Sequence, residues 1–370
     1  MKHNHLSLSI LAAGLLFGAC KKQLNVFPTT AIADGNLITD QVSAQQVLNG
    51  VYFKFAAASG TTTQWVFLNE SYPSELSGAI QFSAGANFFN HNITPSDGNS
   101  ASLWKYGYDL VDAANGCIEN LTPVTAVTAS VKQQMLAEAR FLRAFGNSEL
   151  LLYFGQYNDP ASPYGIILRE KSANVADIKL PRSGVSAAYT SILADLDAAI
   201  GGLPALNSAI YYVNASTARL LKARVLMNRG AAGDYAQVIG LTSDIIGKGP
   251  FVLEDSLKDI FLTKGFNSKE VMLGIQPYSG ETTKYSAYVG TRNRVTGSLP
   301  DLLADDARNQ WVYKIVPYSS TVKDYRLMKY YSGDPVNVKQ TSLCTYSYAF
   351  RLSEAYLLQA EAITMSGGDL

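Results

Sequence analysis

The stretch from Met135 to Gly155, MLAEARFLRAFGNSELLLYFG, limits the choice of folds more than any other part of the chain. Apolar residues recur at Met135, Ala139, Leu142 and Phe145, and again at Ala137, Phe141, Ala144, Leu151 and Leu152, which places them on two sides of one helix. Such a helix must be covered from both sides. Ser130 followed by Gln133 has the spacing of a capping box, and Gly155 offers the residue without a side chain that a helix end often needs. Glu138, Arg140 and Arg143 lie on this largely apolar rod. Burial penalises charges unless they are paired, so these three are expected to cross-link neighbouring helices.

Further helices are predicted by the same spacing. Ala44 to Phe55 places Val47, Val51 and Phe55 on one side, and Leu103 to Leu121 repeats it through Leu103, Tyr106, Leu110, Ala113, Ala114 and Cys117. Gly184 to Gly201 is amphipathic through Val185, Tyr189, Ile192, Leu196 and Ile200, and is stopped by Gly201, Gly202 and Pro204. Ser216 to Gly230 and Asp234 to Gly247 flank the turn RGAAGDY as a helix-turn-helix pair like a tetratricopeptide unit. An Arg-x-x-x-Ala echo at Arg140–Ala144, Arg219–Ala223 and Arg351–Ala355, each in an expected helix, favours stacked helical hairpins. Phe350 to Met365 is the last helix.

Two regions break this pattern. Residues 56 to 102 run through short polar and aromatic pieces with Gly, Ser, Asn and Pro turns, and residues 251 to 348 are rich in Tyr, Gly and Thr, with a strand expected over Val271 to Gln276. Long loops of this kind often carry function. The fold class expected is therefore mainly α: tetratricopeptide-like helical hairpins forming a scaffold at about 101–250 and 350–366, with a loop-rich irregular lobe containing a few short strands at about 56–100 and 251–348.

The run AEARFLRAF followed by Tyr153, Phe154 and Gly155 resembles the most recognisable segment of the SusD/RagB family of outer-membrane nutrient-binding lipoproteins. The Trp-x-Tyr and Ala-Asn-x-x-Ile arrangement in Leu103 to Leu121, the link FVLEDSLKDIFLTKGFNSKEVMLGI, the turn LPDLLADDAR and the helix FRLSEAYLLQAEAITM resemble the same family, in the same order. The resemblance implies a cell-surface protein that binds oligosaccharide, or less often peptide, without catalysis, and partners a SusC-like TonB-dependent transporter. Family members continue past the last helix into an Asn-x-x-Arg-x-Arg type segment, which is absent here, so the chain resembles a family member truncated at its C-terminus.

The N-terminus agrees. Lys2 and two histidines, an apolar run from Leu6 to Phe17 and the small pair Gly18 and Ala19 precede Cys20, the layout of a secretory signal over residues 1–19. Cys20 resembles a lipobox cysteine that becomes the lipidated first residue, although Phe17 stands where leucine is usual; a plain signal cleaved nearby is the alternative. Residues 20–370 would then be one domain, with KKQLNVFPTT as its tether. After Cys20 only Cys117 and Cys344 remain: a disulfide is open to them in an oxidising compartment, and two buried free thiols is the favoured reading. His91 is the only histidine left after processing, which leaves a histidine-based zinc site or a Ser-His-Asp triad almost nothing to work with. No metal or cofactor is expected, although the available carboxylates leave calcium open.

Lys plus Arg equals Asp plus Glu at 30 each, so no basic surplus points to nucleic acid. Charged residues make up 16%, and polarity is carried instead by 22 Tyr. A tyrosine presents a flat apolar ring with a hydrogen-bonding tip, suited to uncharged polar ligands as well as to a core edge. Two stretches gather the groups a sugar site uses: Trp65, Asn69, Glu70 and Tyr72 in one, and Tyr278, Tyr285, Tyr288, Arg292 and Asn293 in the other. They are expected to converge on one ligand face, with Trp311, Tyr313 and Tyr318 as weaker candidates, because WVYKIVPY alternates like a strand. Trp104, among apolar helical neighbours, reads as a core anchor. Glu70 with Glu75, or Asp305 with Asp306, could be proposed as the acid and base of glycoside hydrolysis, but adjacent aspartates cannot readily face each other across a substrate, and Glu70 and Glu75 fall in an irregular loop region. A helical-repeat scaffold for proteins is the third reading, and it leaves both irregular regions unexplained.

Overall fold

Helical spacing in the sequence becomes helix throughout the scaffold. The computed structural model describes residues 37–81, 87–176, 178–289, 294–295, 298–317, 323–333 and 338–369. Its long helices are α1 (Gln41–Phe55), α2 (Gly98–Leu121), α3 (Ala129–Phe154), α4 (Val185–Gly202), α5 (Ala215–Arg229), α6 (Asp234–Lys248) and α7 (Leu352–Met365). Each of α2 to α6 packs against the next, α1 lies on α2 and α3, and α7 closes the stack against α6 and α5. The fold is mainly helical and tetratricopeptide-like. The signal segment, Cys20 and the tether lie outside the described residues. Among the described residues, no helix is long and apolar enough to cross a membrane.

Helix α3 is the central layer, covered by α2 on one side and α4 on the other. Ala139, Phe141, Leu142 and Ala144 are sealed within it. Its start differs from the capping box expected at Ser130: Thr128 holds the N-cap position, its side chain makes no capping bond, and Ser130 already lies in the first turn. Packing, not local capping, sets this end. The capping box instead opens α1, where Ser43 N donates to Asp40 Oδ1 at 2.7 Å and Asp40 N donates to Ser43 Oγ at 3.0 Å. At the far end of α3 Gly155 is required for space. A Cβ there would stand 2.6 Å from Leu151 Cδ1 and 2.9 Å from the Leu151 carbonyl oxygen.

Two of the three charges expected to cross-link helices do so, by different means, whereas Arg140 makes no side-chain hydrogen bond or ion pair among the described residues. Arg143 donates through Nε and Nη2 to the two oxygens of Asp195 on α4, both at 2.7 Å, and through Nη1 to Asn115 Oδ1 on α2 at 2.8 Å. Glu138 accepts the Tyr52 hydroxyl of α1 at 2.6 Å and amide protons from Gln134 and Asn207. Burial raises the Glu138 carboxyl pKa, and those hydrogen bonds pull it back only in part. Farther along, Arg224 on α5 holds Glu354 on α7 through bonds of 2.8 and 2.9 Å.

The third Arg-x-x-x-Ala echo begins one residue outside its helix. Arg351 ends the strand Ser347–Arg351 and serves as the N-cap of α7, with Nη1 donating to Glu270 Oε1 at 3.1 Å. That strand pairs antiparallel with Val271–Ile275, whose five residues are all buried, and so welds the irregular lobe to the stack. The lobe also holds a sheet ordered Ile80–Gln81, Arg294–Val295, Lys323–Leu327, Tyr313–Pro317. It has a core of its own, including Val66, Ile260, Phe261, Tyr288, Val312, Tyr330 and Cys344. Cys117 and Cys344 are both buried and free.

Candidate functional site

The segment from Trp65 to Leu76 runs between the two cores. Val66–Ser71 is wound as a π-helix and continues into a short helix, Tyr72–Leu76. The segment's side chains are divided: Trp65 and Leu68 enter the scaffold core, Val66 enters the lobe core, and Asn69 and Glu70 face a cavity in the lobe.

Opposite them, Lys284 and Tyr288 lie one turn apart on the short helix Thr283–Val289 and therefore share a face. Tyr288 donates its hydroxyl to Glu70 Oε2 at 2.6 Å, and Lys284 Nζ donates to Glu70 Oε1 at 3.1 Å. Lys284 also donates to the Tyr346 carbonyl oxygen at 2.7 Å and stands 3.9 Å from the centre of the Tyr330 ring. Burial pushes the Glu70 carboxyl up, but the Lys284 charge and the Tyr288 hydroxyl hold it below the usual carboxylate range. Burial also lowers the Lys284 ammonium, against the pull of Glu70.

The cavity beside this network has a volume of about 480 Å³. Rings of Phe261, Tyr288, Trp311, Tyr330 and Tyr348 line it together with Leu257, Leu299 and Leu303. Its polar wall is made by Asn69, Glu70, Arg308, Lys329 and Arg351. Flat apolar faces beside a few convergent hydrogen-bonding groups are what a polyhydroxylated ring requires.

The residues expected at the site divide as follows. Asn69, Glu70 and Tyr288 come together at this cavity, although 218 positions separate Glu70 from Tyr288 in sequence. Trp65 is only 4% exposed and packs between Phe55 and Phe145, with ring centres 5.0 and 6.0 Å away, so it supports the core and offers no free face. Tyr72 packs edge-on against Phe88 and donates to Asn99 Oδ1 at 3.0 Å. Tyr285 packs on Tyr331. Tyr278 lies in a second depression of about 730 Å³, beside the stacked rings of Phe266 and Tyr346. Arg292, Asn293 and Tyr318 lie outside the described residues, while Tyr313 is buried in the lobe core.

Trp311 moves from weaker candidate to cavity wall because it belongs to the short helix Asn309–Val312, with the strand starting only at Tyr313. Trp104 packs on Tyr108 and Phe154, as its apolar neighbours suggest. Lys329, Tyr330, Tyr348, Arg308 and Arg351 are cavity residues that sequence reasoning did not single out. The tyrosine density of 330–348 was the available signal. Among the described residues, no group of His, Cys, Asp or Glu side chains could hold a metal ion.

Residues 31–225 match the SusD-like family profile described as "Starch-binding associating with outer membrane". The chain belongs to the SusD-like family. Solved SusD-like structures share the fold along most of their length. A SusD superfamily protein from Bacteroides thetaiotaomicron is 19% identical with a TM-score of 0.72, over 89% of this chain and 77% of that one. A laminarin-binding SusD-like protein is 20% identical with a TM-score of 0.68, over 88% and 81%. NanU of B. fragilis is 15% identical with a TM-score of 0.70, over 93% and 77%. No curated protein sequence matches the chain. SusD-like membership places this protein among non-catalytic binding proteins and in a family associated with the outer membrane.

Proposed function

We propose that this protein is a surface-exposed outer-membrane lipoprotein that captures oligosaccharides in the lobe cavity and passes them to a partner TonB-dependent transporter. The observation that carries the reading is the cavity wall. Trp311, Tyr330 and Tyr348 supply ring faces for the C–H sides of pyranoses, and Asn69, Glu70 and Arg308 supply acceptors and donors for hydroxyls. Glu70 is held ionised by Lys284 and Tyr288, so it acts as a fixed acceptor and not as a proton donor to a glycosidic oxygen. Residues 1–19 act as the export signal, Cys20 carries the lipid, and residues 20–370 form one ligand-binding domain whose helical stack meets the transporter.

Affinity electrophoresis of the purified domain through gels containing soluble glycans tests the capture step. Retardation by at least one glycan, reduced in Trp311→Ala, supports it; free migration through a broad glycan panel overturns it. Release of new reducing ends on incubation would overturn the absence of catalysis. Co-purification of the tagged full-length protein with a large outer-membrane barrel tests delivery, and recovery of the protein alone from solubilised membranes counts against it.

A further inference from the structure

Among the described residues, the two arginines that line the lobe cavity and the neighbouring Lys284 are each matched with a carboxylate. Arg308 donates to Asp306 through Nε at 2.8 Å and Nη2 at 2.6 Å, Arg351 to Glu270 at 3.1 Å, and Lys284 to Glu70 at 3.1 Å. Lys329 also lines the cavity, yet among the described residues its ammonium has neither a carboxylate partner nor a hydrogen-bond acceptor. It rests on ring faces, 4.3 Å from the centre of Phe261 and 5.2 Å from that of Tyr330. The Arg351 guanidinium stands 5.4 Å from the same Phe261 ring, so the wall gathers positive charge there.

An ammonium in this position has three donors and no acceptor from the described residues, so only water or a ligand can satisfy them. A hydroxyl of a neutral sugar supplies an acceptor but no compensating charge. A carboxylate supplies both, through the shorter and stronger charge-assisted bond. We propose that this protein selects acidic glycans, seating the carboxylate of a uronic or nonulosonic acid residue on the Lys329 ammonium. This deepens the oligosaccharide reading above and rests on it. The flat lining favours a sugar acid over an acidic peptide, since Trp311, Tyr330 and Tyr348 offer faces to a ring beside the charge.

The charges facing Lys329 give the pH dependence. Burial, then the Arg351 charge, pull its ammonium down to about 7, with Lys284 and Arg308 acting in the same direction and Glu70 opposing. A bound carboxylate restores the proton. Below about pH 7 the ammonium is present and a sugar acid, ionised throughout this range, is held; above it the free protein loses the charge and the preference declines.

Calorimetric titration of the purified domain with sialyllactose against lactose, and trigalacturonate against its methyl ester, provides the test. At about pH 6 the acidic member of a pair is expected to bind about tenfold more tightly than its neutral counterpart, the size of one charged hydrogen bond, with the ratio falling toward one near pH 9. Lys329→Met should bring the acid-to-neutral ratio close to one at both pH values. Lys329→Arg, which keeps its charge, should preserve the ratio at the higher pH. Neutral and acidic members binding alike, or a preference retained in Lys329→Met, would overturn the selection while leaving glycan capture standing. If no glycan of either kind binds, both readings fail, and binding of an acidic peptide alone overturns the sugar assignment.

Discussion

The Glu70 carboxylate and the Lys284 ammonium meet at 3.1 Å across 214 positions of sequence, and with Tyr288 they join the two irregular regions into one cavity wall. Both are largely shielded from water: the Lys284 side chain is 3% exposed and that of Glu70 17%. Removing one partner leaves a buried charge without its counterpart, which costs about 3–5 kcal/mol.

Glu70→Gln should therefore destabilise the lobe by about that amount at neutral pH, measured by urea unfolding. Because the folded Glu70 lies below its unfolded value of about 4.3, its stabilisation is complete above that value and is lost as the pH falls through the folded one. The difference between wild type and Glu70→Gln should shrink on acidification through this window. A difference that stays constant from neutral to strongly acidic solution would remove Glu70 as its source.

The two tryptophans of the irregular regions should separate stability from binding. Trp65 is wedged between Phe55 and Phe145, so Trp65→Ala is expected to lower unfolding stability by about 3–5 kcal/mol. Trp311 lies on the cavity wall, and Trp311→Ala should keep the melting temperature close to wild type while weakening glycan retention in affinity gels. The reverse pattern would move the platform to Trp65.

This contrast marks how far sequence pattern reaches. Helical periodicity places α2 through α6 to within a few residues because each stripe of apolar side chains has to face a neighbouring layer. The strand at Val271 is equally legible as a short apolar run, Val-Met-Leu-Gly-Ile, flanked by polar residues. What periodicity cannot report is that the short segment from Trp65 to Leu76 runs between two cores, so that apolar residues on it face in both directions. Trp65 and Glu70, five positions apart, end in different places, one in the scaffold and one at the cavity. Lys329 is invisible for a different reason: its significance lies in the partner it lacks, and only the arrangement of Asp306, Glu270 and Glu70 around other cations makes that visible.

Arg143 and Asp195 form a two-bond ion pair that ties α3 to α4, with Asn115 adding α2. Arg143→Ala should destabilise the scaffold by about 3–5 kcal/mol, whereas Arg143→Met with Asp195→Leu should recover most of that loss, because the cost lies in the abandoned charge. A double-mutant cycle read by chemical unfolding checks this. Additive losses in the double variant would mean that the two residues act separately.

Gly107 on α2 lets α3 approach at close range. A Cβ on it would stand 2.5 Å from Leu150 Cγ and 2.7 Å from Leu150 Cδ2, and a Cβ on Gly146 of α3 would stand 3.2 Å from the Gly107 carbonyl oxygen. Leu150 is sealed and cannot swing into solvent, so Gly107→Ala must push the helices apart, at about 1–3 kcal/mol. Leu150→Ala alone opens a void and costs about 2–5 kcal/mol. Combined, the new methyl group fills part of the void that the smaller side chain leaves, so the double variant should lose clearly less than the two single losses added together. Full additivity in thermal unfolding would show that the helices relax independently at the two positions and that Gly107 is not the point of contact.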